Sequence, residues 1–457
     1  MQPVKRLSHL ALAATMAIAG SVLGTPAPVA AAPPGEHRGV LADGATWLGH
    51  IPEHWNGTVL LFSHGFGAMQ PQDAPDDQTR GLLLAEGYAL VGSSYSGPTL
   101  WALEHAVDDQ FDALEAFTAL LGAEPERTIA VGRSMGGLVS AREAHQPRGE
   151  IDAVLTSCGI VAGGLNLNNY QLDGLHALTE LLAPGRDIPL VRYTGPAQAA
   201  QAAADITALV TEAQTTAPGR ARIALAAALF NLPGWSRGQS RPAPRDYEGQ
   251  EEQQFRSMVA GALTRYVTAR EQIEISAGGN SAWNKGVNYR TLMSSSAQSA
   301  QVRALYRSAG LDLRAELDRL TATADVTADP WAVSSLRRSS MVNGELRVPH
   351  LTIHTVADEL VPVQQEDWYH EHVRHDGDRL RSLYVDTAGH CAFLPSEYLT
   401  ALHALERRLA SGRWPSLRPT DLAAAGSGYP GGTPRFIRYE PSRLVGGLDE
   451  PGRTHHR

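Results

Sequence analysis

The chain has 457 residues, 43% of them hydrophobic and 19% charged, as in a globular protein long enough for one large domain carrying an insertion. Asp and Glu outnumber Lys and Arg by 48 to 39, for a formal net charge of −9. That balance argues against a surface built to neutralise phosphates, so no nucleic-acid partner is expected.

Taken in chain order, residues 1–31 read as a signal peptide. Lys5 and Arg6 supply a positive start, the apolar stretch from Leu10 to Leu23 is too short to span a bilayer, and Val29-Ala30-Ala31 offers small residues for cleavage. No later segment is apolar enough to cross a membrane. The expectation is a secreted, extracellular protein with no stable membrane insertion. Residues 36–160 then alternate strand and helix. Thr58 to Phe62 and Tyr88 to Val91 are β runs, Val107, Phe111, Leu114, Phe117 and Leu121 recur at helical spacing, and strands follow at 127–131 and 151–157. Such alternation predicts an α/β fold, with a mostly parallel sheet covered by helices on both faces. Residues 161–345 are Ala- and Leu-rich with almost no strand signal, and read as a helical cap insertion. The alternation resumes over 346–412, with strands at Pro349 to Ile353 and Leu383 to Val385 and a helix from Tyr398 to Leu409. The tail, 413–457, is rich in Gly, Pro and Arg. It is expected on the surface or partly disordered, apart from a short extended piece at Arg435-Phe436-Ile437.

The chemistry begins at Gly132-Arg133-Ser134-Met135-Gly136, which follows a strand and opens a helix. Such a strand–turn–helix holds its serine exposed at the carboxyl edge of a sheet, and the glycines avoid collisions that a β-carbon would cause. A serine hydroxyl becomes a nucleophile only when a base takes its proton and a carboxylate orients that base. Asp358 and His390 each follow a predicted strand, in the chain order serine, acid, histidine. Asp386, four residues before His390, and Glu359, beside Asp358, are the rival acids; His354 reads as a core or loop histidine. The backbone N–H of Met135 is one expected oxyanion donor. The second is assigned to Phe66 in Ser63-His64-Gly65-Phe66-Gly67, with Gly65 as the alternative.

Cys158 and Cys391 are the two cysteines, and in an oxidising compartment they are expected to pair. One ends a predicted strand and the other follows His390, so both should reach the same sheet edge. His370, His372 and His375 are too unevenly spaced for three ligands on one helical face, and no metal site is read. Trp101, Trp235 and Trp283 are candidates to line an acyl pocket, with packing the more ordinary role. Glu251 and Glu252 read as a solvated helix start.

These motifs, together with Gly389-His390-Cys391-Ala392-Phe393, Trp283-Asn284 and Gly286-Val287-Asn288-Tyr289, resemble the α/β-hydrolase superfamily, and in particular secreted actinobacterial serine hydrolases with a large helical cap. The resemblance implies a serine hydrolase working through an acyl-enzyme, without metal or cofactor, on a small-molecule or polymeric acyl substrate. Carboxylic ester hydrolysis is the leading reading. A secreted peptidase or aminopeptidase with the same triad is the alternative, and a non-enzymatic binding scaffold the third.

Overall fold

A computed structural model describes residues 31–67, 69–145 and 150–453. The signal segment read at 1–31 lies outside the described residues except for Ala31. Nine strands form one sheet: β1 (Gly35–Val40), β2 (Thr46–Ile51), β3 (Thr58–Ser63), β4 (Ala89–Ser93), β5 (Arg127–Arg133), β6 (Ala153–Ser157), β7 (His350–Ala357), β8 (Leu380–Ala388) and β9 (Phe436–Ile437). Their order is β1-β2-β4-β3-β5-β6-β7-β8-β9. The six strands from β4 to β8 run parallel, and β1, β2 and β9 add antiparallel edges. This is the α/β-hydrolase arrangement. The β1–β2 hairpin was not anticipated, because β1 is a largely exposed edge whose residues carry little apolar signal.

The central strands are buried on both faces, which is why they read as unbroken apolar runs. Val59 and Leu61 of β3 join one core with Phe117 and Leu138, from the helices Ala106–Leu121 and Met135–His145. Leu60 and Phe62 face the opposite core, with Leu83 of the helix Asp77–Ala85 and Leu402 and Leu405 of the helix Pro395–Ser411. The two-residue side-chain period of a strand thus builds both layers at once.

Between β6 and β7, which pair directly in the sheet, the chain leaves for a run of helices from Gly164–Leu182 to Pro330–Ser339. These helices have an apolar core of their own, including Leu178, Ile206, Leu225, Phe230, Val302 and Leu320. Two expectations for this region need correction. Glu251 is not solvated: its side chain is buried, accepting from Arg220 Nε at 2.7 Å, while Asp246 caps the helix Tyr247–Ser257. The tail is mostly exposed or half-buried over 413–443, as expected, but its end is not on the surface. Val445 belongs to the insertion's core and exchanges hydrogen bonds with Asn231, donating to Oδ1 and accepting from Nδ2, each at 2.9 Å. Leu448 N donates to Asn166 Oδ1 at 2.7 Å, and Arg453 forms a buried ion pair with Asp173. Gly and Pro forecast irregular backbone but not exposure; Leu444, Val445 and Leu448 supply the apolar surface that anchors it. Among the described residues no helix is long and apolar enough to cross a membrane.

Candidate active site

Ser134 occupies the turn from β5 into the helix Met135–His145, at φ +59°. Left-handed backbone is costly for a serine and persists only where its surroundings hold it. Its N–H donates to Ser157 O at 2.9 Å, and its carbonyl accepts from Gly137 N at 2.9 Å. The turn is tight enough to demand glycine: a β-carbon on Gly132 would lie 2.1 Å from Gly136 O, and one on Gly136 1.9 Å from Ser63 O.

Asp358 comes directly after β7, and His390 two residues after β8, so parallel strands deliver all three side chains to one edge. His390 Nδ1 donates to both Asp358 oxygens, at 3.0 Å and 2.8 Å. That contact puts the ring proton on Nδ1 and leaves Nε2 to accept from Ser134 Oγ at 2.8 Å. Asp358 is buried, and its Oδ1 also accepts from the N–H groups of Leu360 and Val361 at 2.9 Å and 2.8 Å. Burial alone would raise its pKa. The charge and hydrogen bond of His390, the charge of His354 and the Val361 N–H outweigh that penalty and hold it below the ordinary carboxylate range. Of the rival acids, Asp386 pairs with Arg241 at 2.9 Å on the exposed side, while the Glu359 carboxylate meets the His390 backbone N–H and leaves the ring's Nδ1 to Asp358.

Behind Asp358 lies a pair that sequence reasoning missed. His354 is a core histidine, as read, but not a bland one. Its Nδ1 faces Glu366 Oε1 at 3.0 Å and its Nε2 faces Val361 O at 2.8 Å, with Asp358 Oδ2 3.7 Å away. Both ring nitrogens meet acceptors, so both donate and the ring is an imidazolium. Burial opposes that charge, but the bond to Glu366 and the charges of Glu366 and Asp358 raise the His354 pKa overall. Glu366 is also buried, and its Oε2 accepts from Thr352 Oγ1 at 2.7 Å; burial would raise its pKa, but the His354 bond and charge carry it below its ordinary value. The signal was present as His354 followed twelve residues later by Glu366, a spacing with no meaning until β7 and the helix Gln364–His372 pack together.

The loop after β3 abuts the serine: a β-carbon on Gly65 would lie 3.2 Å from Ser134 Cβ. Tyr95 stacks on His64 at 4.1 Å between ring centroids, and its hydroxyl donates to the His64 carbonyl at 3.1 Å, fixing this loop. Among the described residues the Phe66 N–H has no hydrogen-bond acceptor. Met135 opens its helix, so its N–H has no acceptor four residues back within that helix.

Cys158 and Cys391 are joined in a disulfide that links the end of β6 to the histidine loop. Among the described residues the cluster with metal-ligand spacing is Cys158, His390 and Cys391, but its sulfurs are bonded to each other. His370 meets Ser382 Oγ, His372 stacks on Trp368, and His375 is exposed, so these three do not converge. Trp101 and Trp283 are buried packing residues; Trp101 Nε1 donates to Ser340 Oγ at 3.2 Å. Trp235 is half-buried beneath Arg241.

No family model matches the chain. Among curated proteins it is similar to an o-phthalyl amidase from Xanthobacter agilis, 26% identical over 415 residues, covering 85% of this chain and 90% of that protein. Among solved structures it is similar to an acylaminoacyl peptidase bound to a chloromethyl ketone, with 13% identity and a TM-score of 0.41 over 86% of this chain. The chain spans less than half of that peptidase, 43%. It is also similar to feruloyl esterase B from Aspergillus oryzae, with 14% identity and a TM-score of 0.40, over 83% of this chain and 80% of the esterase. The arrangement is that of a hydrolase of the α/β fold.

Proposed function

We propose that the chain is a serine hydrolase that cleaves carboxylic esters through an acyl-enzyme. The observation that carries this reading is the unbroken hydrogen-bonded line Asp358–His390–Ser134. In this reading His390 Nε2 takes the Ser134 proton as Oγ attacks the carbonyl carbon, and Asp358 stabilises the imidazolium that forms. The tetrahedral oxyanion accepts from the N–H groups of Met135 and Phe66, which among the described residues have no competing partners to give up. His390 then gives its proton to the departing alcohol, and the same groups activate water to hydrolyse the acyl-enzyme. Neither half-reaction calls for a cofactor. Residues 161–345 act as the cap over this edge. Export is part of the proposal, supported by the signal segment at 1–31 and by a disulfide suited to an oxidising compartment.

Amide hydrolysis is the second reading. It is favoured by similarity to an o-phthalyl amidase along most of both chains. An amine leaves less readily than an alcohol, so this reading asks more of His390 as general acid. The two are separated by comparing p-nitrophenyl acyl esters with aminoacyl and aromatic-acyl p-nitroanilides on the purified protein. Faster turnover of esters is expected; turnover confined to anilides would overturn the ester reading in favour of the amide one.

A further inference from the structure

Beside the triad lies a groove of about 630 Å³ between the insertion and the loop after β7. Glu359 and Leu360 form one wall, directly after Asp358. The other wall comes from the insertion, where a π-helical turn, Met258–Ala262, breaks the helical path at Gly261 (φ +132°) and presents backbone and small side chains to the groove. Arg237, Arg256 and Arg265 all line it. In a chain whose acids outnumber its bases, this local sign is reversed.

The arginines are not equivalent. Arg256 is occupied by Glu252 at 2.9 Å. Among the described residues neither Arg237 nor Arg265 has a hydrogen-bond or ion-pair partner. Both stand against the loops of the triad. The Arg237 stem packs where a β-carbon on Gly389 would sit, 3.0 Å away, and Gly389 immediately precedes His390. The Arg265 guanidinium lies 5.5 Å from the Phe66 ring centroid, and Phe66 belongs to the loop that abuts Ser134. One arginine therefore packs its stem beside the histidine loop, and the other lays its guanidinium near Phe66 of the loop that abuts Ser134. The acids of the lining are Glu252, held by Arg256, and Glu359, whose burial and proximity to Asp358 raise its pKa.

We infer that this groove is a carboxylate subsite, in which Arg237 and Arg265 hold an anionic group carried by the substrate beside the bond that Ser134 attacks. The inference rests on the serine-hydrolase reading and sharpens it: the preferred substrates carry a free carboxylate near the scissile carbonyl. A guanidinium suits that task because its planar donors meet both carboxylate oxygens.

The test uses two pairs of esters that differ only in charge. Adipic acid mono-p-nitrophenyl ester is set against its terminal carboxamide, placing the carboxylate on the acyl side. Then 4-carboxyphenyl hexanoate is set against 4-carbamoylphenyl hexanoate, placing it on the leaving group. In one pair, kcat/KM for the acid should exceed that for the amide by about tenfold at low salt. That ratio should fall towards one in R237Q/R265Q and in 0.5 M salt, where screening shortens the reach of exposed charges; the responding pair identifies the side. Should neither pair turn over although a fluorophosphonate labels Ser134, slowing of that labelling by benzoate but not by benzamide, lost in R237Q/R265Q, carries the same meaning. A ratio near one in both pairs, a ratio that survives the double substitution, or equal protection by benzoate and benzamide would overturn the subsite and leave the hydrolase reading intact. An unlabelled Ser134 together with no ester turnover would remove the hydrolase reading, and the subsite with it.

Discussion

Buried charge is arranged differently at the sheet edge and in the helical insertion. After β5, β7 and β8 the titratable groups form a line, Glu366–His354–Asp358–His390, that ends on the partly exposed Ser134 hydroxyl. In the insertion they close on one another. Asp173 pairs with Arg453 and accepts from the Tyr289 hydroxyl, and one Glu251 oxygen pairs with Arg220. Buried pairs are costly to desolvate, so each arrangement needs a reason. In the proposed mechanism the line transmits orientation and charge to the Ser134 hydroxyl, whereas the pair of Asp173 with Arg453 ties the tail to the helices.

The contrast makes predictions of decreasing size. His390→Ala breaks the line and should lower kcat/KM by about 10⁴-fold or more, with the melting temperature nearly unchanged. Activity within tenfold of the parent would show that another base works. Reducing the Cys158–Cys391 bridge frees a crosslink between residues 233 apart in sequence. The chain-entropy argument allows a loss of up to about 5 kcal/mol, and activity should fall as the His390 loop loosens. Thermal melts and ester assays before and after reduction check both effects. Arg453→Ala opens a closed pair and leaves Asp173 buried without its cation, which should cost about 3 kcal/mol in denaturant titrations. A neutral outcome would mean that the tail is not anchored as described.

The smallest effect is the most specific. H354Q/E366Q removes a cation that competes with the His390 imidazolium for Asp358. The acidic limb of the kcat/KM–pH profile should therefore move up by about half a unit, a shift that simple loosening would not give. The pair also bears on stability. The His354 pKa is raised, so its contribution is present below the ordinary histidine value and is lost as pH rises through the raised one. The Glu366 pKa is lowered, so its contribution is present above the ordinary carboxylate value and is lost as pH falls through the lowered one. The stability difference between parent and double variant should peak between those limits and shrink on both sides.

The legible parts of the molecule were those whose partners lie nearby in the chain or in a fixed order. Ser134, Asp358 and His390 each stand just past a strand, and strand order brings them together; Cys391 was legible because it adjoins His390. Strands β3 to β6 announced themselves because burial on both faces selects apolar runs at their centres. The closed pairs were not legible. Asp173 gives no hint of Arg453, 280 residues on, and Glu251 looks like any acid in a first turn. The insertion's partners are chosen by packing across distant segments, and no local period encodes that.

Hydrolysis by this chain depends, in the proposed mechanism, on the reactivity of one hydroxyl. Intact-mass measurement and peptide mapping after treatment with a fluorophosphonate should show a single adduct on Ser134, lost in Ser134→Ala and strongly slowed in His390→Ala. A folded protein that remains unmodified, or that carries the adduct on another residue, would contradict it.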